Sequence, residues 1–274
     1  MLPDRFGFST YRLRRVDIMA ERVIPVSYAV SSERTSPIFC LSFAAGCGGR
    51  VVYDLRLRSG PVAMFGSQQL TAILKKARAH GRAWYYGDHG YFRRFKFYRV
   101  TLNAFQHDGL TGKGDPARLK ELGVKVRRWR KGGRHVLVCP PDAAYAARNN
   151  FSEIEWLNDV RAVIEANSDR PIRVRDRVGA ERNPVSLEDD LEGAWALVAH
   201  HSNAAVEALI VGIPVFVTGD CAALQMACTD LKKIETPCYP EGRARWASVL
   251  AANQWTLDEM AAGDCWRKIA EGNQ

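Results

Sequence analysis

Residues 194–219, AWALVAHHSNAAVEALIVGIPVFVTG, restrict the architecture more than any other part of the chain. A short apolar run delivers His200 and His201. Ser202 then opens a stretch rich in small residues, and Gly212 and Pro214 close it before a second apolar run. Apolar runs of this length between turn residues read as strands, and a stretch ending in Gly with Pro just beyond reads as a helix with a tight return. Strand, helix and strand in that order favour parallel pairing, with helices on the sheet faces.

The same rhythm recurs along the chain. SPIFCLSFAAGCGG reads as a buried strand at 38–43 running into a glycine-rich turn at 44–49. A strand at 61–65 precedes SQQLTAILKKARAHG, where Leu70, Ile73, Leu74 and Ala77 fall at helical spacing, Ser67 is the expected N-cap and Gly81 the stop. RAWYYGDHGYF is the next strand. After a basic segment at 125–134 (KVRRWRKGGR), the pattern restarts with the strand HVLVCPP and a helix at 153–166 that turns Ile154, Leu157, Val160, Val163 and Ile164 inward. A strand in PIRVRDR and helices at 244–253 and 257–271 complete it. The reading is an α/β protein with two Rossmann-like domains facing across a cleft, residues 1–134 and 135–274, with the linker at 125–134. Ligands in such sheets sit beyond the carboxyl ends of the strands. Attention therefore falls on 44–49, 87–91, 140–142, 175–177, 200–203 and 218–220.

Hydrophobic residues make up 47% and charged residues 25%, ordinary for a globular chain with a sizeable core. No apolar run approaches the roughly 20 residues that span a bilayer. The N-terminal arginines have no apolar stretch behind them, so a cytoplasmic protein is expected. Seven cysteines without CxxC spacing read as reduced core thiols, and no metal site is expected. Charge is informative once divided: residues 1–150 hold 27 of the 39 Lys and Arg and 10 of the 30 Asp and Glu, a net of +17, leaving −8 for the remainder of the overall +9. Such asymmetry points to a polyanion met by the first half.

The helix start after His201 is the first candidate site. Exposed amides of a first helical turn, with the positive end of the helix dipole, suit a phosphate, and small residues such as Ala204 let a ligand approach the backbone. Glu207 lies one turn inside, where a carboxylate can accept hydrogen bonds from a ribose diol.

This segment, Ser202-Asn203-Ala204-Ala205-Val206-Glu207-Ala208-Leu209-Ile210-Val211-Gly212-Ile213-Pro214-Val215, resembles the donor half of GT-B-fold glycosyltransferases and of the related sugar-nucleotide 2-epimerases and capsule-type transferases. The resemblance implies a nucleotide-sugar donor, with Ser202, Asn203 and the following amides on the diphosphate and Glu207 on the ribose. His200, rather than an acid, stands seven positions before Glu207, a departure from the retaining pattern. Relatives place a cation at the end of the strand in PIRVRDR; Arg175 is that residue by position, with Arg173 and Arg177 on the same face. A basic group offsets leaving-group charge without a metal, in keeping with the lack of a DxD motif, and no cofactor beyond the donor itself is implied.

In the first half, Gly87 and Gly90 bracket Asp88 and His89 at a strand end. Either side chain can act as general base for an acceptor hydroxyl, Asp88 first and His89 second, while a turn capped by Asp88 is the plainer reading. Of the strand-end histidines His200 and His201, only one can enter a site, since neighbours on a strand point to opposite faces; His107 and His135 read as structural. YFRRFKFYR (91–99) and 125–134 fit a nucleic-acid surface, and the first also fits a half-buried strand. The expected activity is transfer of a sugar to an anionic acceptor, for which hydroxymethylated DNA is a candidate. A sugar-nucleotide epimerase, a surface-polysaccharide transferase and a non-catalytic nucleic-acid-binding protein are the alternatives.

Overall fold

The computed structural model describes residues 23–175 and 185–272. The chain divides into two compact units: the first holds the chain up to His107, Thr111–Asp115 and the chain from Val249 onward, the second Asp108–Leu110 and Pro116–Ser248. The stretch from Val249, assigned by sequence to the second half, thus clusters with the first.

Unit 1 runs β1 (Val26–Tyr28), α1 (Thr35–Cys47), β2 (Arg50–Val52), β3 (Val62–Phe65), α2 (Thr71–Ala79), β4 (Trp84–His89) and β5 (Tyr98–Leu102). Its sheet has the order β2-β1-β3-β4-β5, parallel except for the antiparallel edge strand β5. The β3-α2-β4 unit forms as the pattern predicts; Ser67 caps the turn at Gln68–Leu70 that leads into α2. The expected strand at 38–43 is helix α1. Its buried residues Ser36, Phe39, Cys40, Phe43, Ala44 and Cys47 recur at helical spacing, while Ile38 and Leu41 are exposed. An uninterrupted apolar run cannot separate strand from helix; the spacing of its largest side chains can. The expected glycine-rich turn at 44–49 is then the helix end, with Gly48 as left-handed C-cap.

Unit 2 runs α3 (Pro116–Glu121), β6 (His135–Cys139), α4 (Ala143–Arg148), α5 (Glu153–Glu165), β7 (Ile172–Val174), α6 (Leu187–Leu191), β8 (Ala194–Ala199), α7 (Asn203–Val211) and β9 (Val215–Val217), and leads into α8 (Arg243–Ala251). Its sheet, β7-β6-β8-β9, is wholly parallel. Both faces of β6 and β8 are covered, so their residues are buried apart from the half-buried Trp195, as doubly covered parallel strands require. Within α5 the buried face is Trp156, Val160 and Ile164; Ile154, expected inward, is 72% exposed because the larger Trp156 sets the rotation.

The segment at 125–134 is not a loose linker. Arg127 N–H donates to Ile210 O (2.8 Å) and Arg130 N–H to Gly212 O (2.7 Å). Arg243 bonds Leu209 O and Arg127 O, with its guanidinium 3.6 Å from the Trp129 ring centroid. The last carbonyls of a helix lack intrahelical donors and carry partial negative charge, so a basic strap at the end of α7 satisfies both demands. A Cβ on Gly212 (φ +87°) would lie 2.0 Å from Arg128 O, so glycine is required there.

After α8 come α9 (Leu257–Ala261) and α10 (Asp264–Ala270), the expected single helix broken at Gly263 (φ +88°). Trp255, Met260, Cys265 and Ile269 join Phe39, Phe43, Phe65, Tyr85 and Tyr98 in one core. On the other sheet face, Tyr28, Val62, Met64 and Trp84 pack with Leu70, Ile73 and Leu74. Each such side chain contributes about 1.5–3 kcal/mol relative to exposure.

Cys228 and Cys238 form a disulfide, which corrects the reading of all seven cysteines as thiols. Cys228 pairs with the edge of β9 through Val217 N–H to Cys228 O (2.9 Å) and Cys228 N–H to Val215 O (2.8 Å). The other five are buried, and burial pushes the Cys40 and Cys221 thiols up to about 12. No helix among the described residues is long and apolar enough to cross a membrane.

Candidate functional site

At the carboxyl edge of the unit 2 sheet, β8 leads through His200 and His201 into the opening of α7. Ser202 has extended backbone (ψ 144°) and its hydroxyl accepts the Ala204 N–H at 3.2 Å, which starts α7. Ala205 N–H bonds Ser202 O (3.1 Å). Asn203, Ala204 and Glu207 are half-buried along the first turns, with Ala205 and Ala208 packed beneath.

His200 and His201 precede this opening in an aromatic setting that the sequence reading missed. The His201 ring stacks flat on Tyr145, with centroids 3.4 Å apart and planes 13° apart. His200 sits among Phe151 (4.9 Å), Tyr145 (5.9 Å) and Trp156 (6.2 Å), and its ring rests on Gly219, where a Cβ would fall 2.5 Å away. Its Nδ1 lies 2.9 Å from the Thr218 hydroxyl, which also accepts Trp156 Nε1–H at 2.8 Å. Burial lowers the His200 pKa to about 4, so the ring is neutral at physiological pH. Tyr145 and Trp156 lie on helices some 50 residues upstream, and spacing alone does not link them to the histidines.

Arg175 is held by Asp190 in an ion pair and by Val185 O (2.9 Å). Arg173 is exposed on β7, and Arg177 lies outside the described residues. His135, at the other end of the sheet, hydrogen-bonds Asp190 O (3.1 Å), and His107 meets the Tyr91 hydroxyl (3.1 Å).

In unit 1, Asp88 is the penultimate residue of β4 and pairs across the ladder with Arg99 of β5. One carboxylate oxygen accepts His89 N–H (2.7 Å) and the other pairs with Arg99 (2.7 Å), a residue 4% exposed whose guanidinium also bonds His89 O. His89 is walled by Phe95 (4.6 Å), Phe65 (5.3 Å) and Tyr98 (5.5 Å). Burial lowers its pKa, Asp88 opposes that, and Arg94 and Arg99 reinforce it. Its Nδ1 is buried with no hydrogen-bond partner among the described residues. A neutral imidazole of this kind can take up a proton, whereas the Asp88 oxygens are already engaged. Glu33, after β1, accepts the Ser67 hydroxyl (2.6 Å) beyond β3. The misread strand at 38–43 moved attention away from this edge. No group of three His, Cys, Asp or Glu side chains suited to a metal gathers among the described residues.

Two parallel-sheet units, one with a small-residue helix opening at its strand ends, define an α/β protein of the Rossmann-like class. No family model and no curated protein matches the chain. Among solved structures it is similar in fold to two chains of Thermosulfurimonas dismutans KpsC. One is the beta Kdo 2,4 transferase, with TM-score 0.54 and 15% identity over 85% of this chain and 92% of that one. The other is the beta Kdo 2,7 transferase, with TM-score 0.51 and 14% identity over 89% and 99%. The likeness is one of fold.

Proposed function

We propose that the protein is a glycosyltransferase that moves a sugar from a nucleotide-activated donor, bound by unit 2, to an anionic acceptor received by unit 1. The observation that carries this reading is the helix opening at Ser202 on the carboxyl edge of a wholly parallel sheet. The fold likeness to two sugar transferases supports it. The first-turn amides at Asn203 and Ala204, with the Ser202 hydroxyl, take the diphosphate, and Glu207 takes the ribose hydroxyls. His201, braced by Tyr145, borders the same opening. Arg173, exposed on β7, supplies countercharge for the leaving diphosphate, whereas Arg175 is already paired with Asp190.

In the transfer the acceptor oxygen bonds the anomeric carbon and its proton passes to a general base, the part for which unit 1 offers neutral His89. The carbon–oxygen bond to the donor phosphate breaks, and the leaving group keeps the electron pair. Asp88 and Arg99 hold the His89 backbone for this step. For the acceptor, the net +9 of unit 1 (20 Lys and Arg against 11 Asp and Glu, with 19 of each in unit 2) supports DNA with hydroxymethylated bases. That both fold neighbours are Kdo transferases favours a second reading, in which the acceptor is a surface polysaccharide.

A thermal-shift screen against UDP, GDP, ADP, CMP and their sugars tests the donor site. At one hundred times its dissociation constant, one nucleotide stabilises the protein by about 2.7 kcal/mol, and Glu207→Ala abolishes that gain. Silence with every nucleotide, or a gain indifferent to Glu207→Ala, ends the donor reading.

A further inference from the structure

The turn after β4 is built unlike the rest of unit 1. The chain reverses over 93–97, where the Lys96 and Phe97 N–H groups both donate to Arg93 O (3.2 Å each). Arg93 (φ +53°) and Phe95 (φ +70°) adopt left-handed backbone, unusual for any residue with a Cβ and a clear outlier for a bulky one. The base of the turn is locked in place. Buried Gln254 accepts Phe92 N–H (3.0 Å) and donates to Phe92 O (3.1 Å). Gly90 N–H bonds Phe97 O (2.7 Å), and Tyr98 and Trp255 exchange backbone hydrogen bonds at 2.7 Å. Phe92 and Phe97 are buried, whereas Arg93, Arg94 and Lys96 are exposed and Phe95 is 71% exposed.

A strained aromatic that buried its ring would need no further account. Here a T-shaped contact with His89 (4.6 Å) still leaves Phe95 71% exposed, and strain imposed by a rigid base at an exposed aromatic points to a ligand. Three cations stand within four residues of chain, with the Arg94 guanidinium 5.5 Å from the Phe95 ring centroid. A ring beside cations matches a ligand that alternates flat faces with anions. Nucleic acid does so at every nucleotide, and only an unpaired base offers its face. An acidic saccharide supplies the charge without a planar π-face.

We propose that the tip at 93–96 is a stacking platform for single-stranded nucleic acid, in which one base lies on Phe95 and Arg93, Arg94 and Lys96 meet the flanking phosphates. The proposal does not rest on the donor site: it needs no nucleotide at α7 and is tested with none present.

Fluorescence anisotropy with a labelled single-stranded dT20 oligonucleotide, from 50 to 200 mM salt, reads it out. Phe95→Ala weakens binding about 5- to 150-fold, the loss expected for one stacked base, and leaves the salt slope unchanged. Phe95→Trp restores binding. Changing Arg93, Arg94 and Lys96 together to Gln lowers the slope of log K against log salt by about 2, at roughly 0.7 per phosphate contact. Phe95→Gly relieves the backbone strain, so it raises the melting temperature while losing binding, the reverse of what a purely structural Phe95 gives. No binding by the unaltered protein at 50 mM salt, equal binding by Phe95→Ala, or tighter Phe95-dependent binding to an acidic oligosaccharide such as a hyaluronan fragment each overturns the proposal.

Discussion

His89 in unit 1 and His200 in unit 2 stand at corresponding places, each at the carboxyl end of a parallel strand among aromatic rings. Burial makes both imidazoles weaker bases than usual. They differ in what meets Nδ1: for His200 it is the Thr218 hydroxyl, itself fixed by Trp156, whereas for His89 it is no described group. Low basicity is therefore no mark of reactivity by itself. A satisfied neutral imidazole is a packing element, and one with an unsatisfied nitrogen stores a cost that a ligand or a proton can relieve.

The largest effect that separates the two is on turnover. His89→Gln should slow single-turnover sugar transfer by about 100- to 10,000-fold, the usual contribution of a general base, and leave the urea midpoint close to that of the unaltered protein. Full activity in that variant would reduce His89 to the status of His200.

The next effect is on acid stability. The folded pKa of His200, about 4, lies below its ordinary 6.5, so the unfolded chain binds the proton first. Its contribution to stability is complete above pH 6.5 and disappears as the pH falls to 4, a loss of roughly 3 kcal/mol. Urea denaturation at pH 7 and pH 4 should show that loss in the unaltered protein and correspondingly less of it in His200→Gln. Equal losses would place the acid sensitivity elsewhere.

The smallest effect sharpens the comparison. Trp156→Phe keeps most of the packing around His200 and removes the N–H that engages Thr218, at a cost of about 1 kcal/mol. Nitrogen NMR of His200 should register the change while His89 does not. A shift at His89 instead would mean that the assigned hydrogen-bond chain is wrong.

Much of the fold was legible where side-chain size carried the signal. The small residues of α7, closed by Gly212 and Pro214, disclose the helix and its opening at Ser202, and Leu70, Ile73, Leu74 and Ala77 disclose the face that α2 buries. Legibility failed where a residue acts through a distant partner. Arg175 looks like a cation awaiting a phosphate until Asp190 is brought beside it. Asp88 looks like a base until Arg99 arrives on β5. The strap at 125–134 looks like a linker because the carbonyls it satisfies lie on a helix some 80 residues later. The turn at 93–97 was hidden for a different reason: left-handed backbone usually announces itself by Gly or Asn, and here Arg93 and Phe95 occupy those positions. Cys228 and Cys238 carry no spacing that marks a bridge.

The return of the last helices to the first unit also sets an order of events during synthesis. Phe39 and Phe43 leave the ribosome some 210 to 230 residues before Trp255, Met260 and Ile269, which share their core. At about 5–20 residues per second, that aromatic face of α1 waits some 10 to 45 s for its cover. Every strand of unit 2 is complete well before then. Unit 1 therefore completes its core after the strands of unit 2 are made, although its own strands precede them, and through that interval its nascent form presents the sticky surface that chaperones recognise.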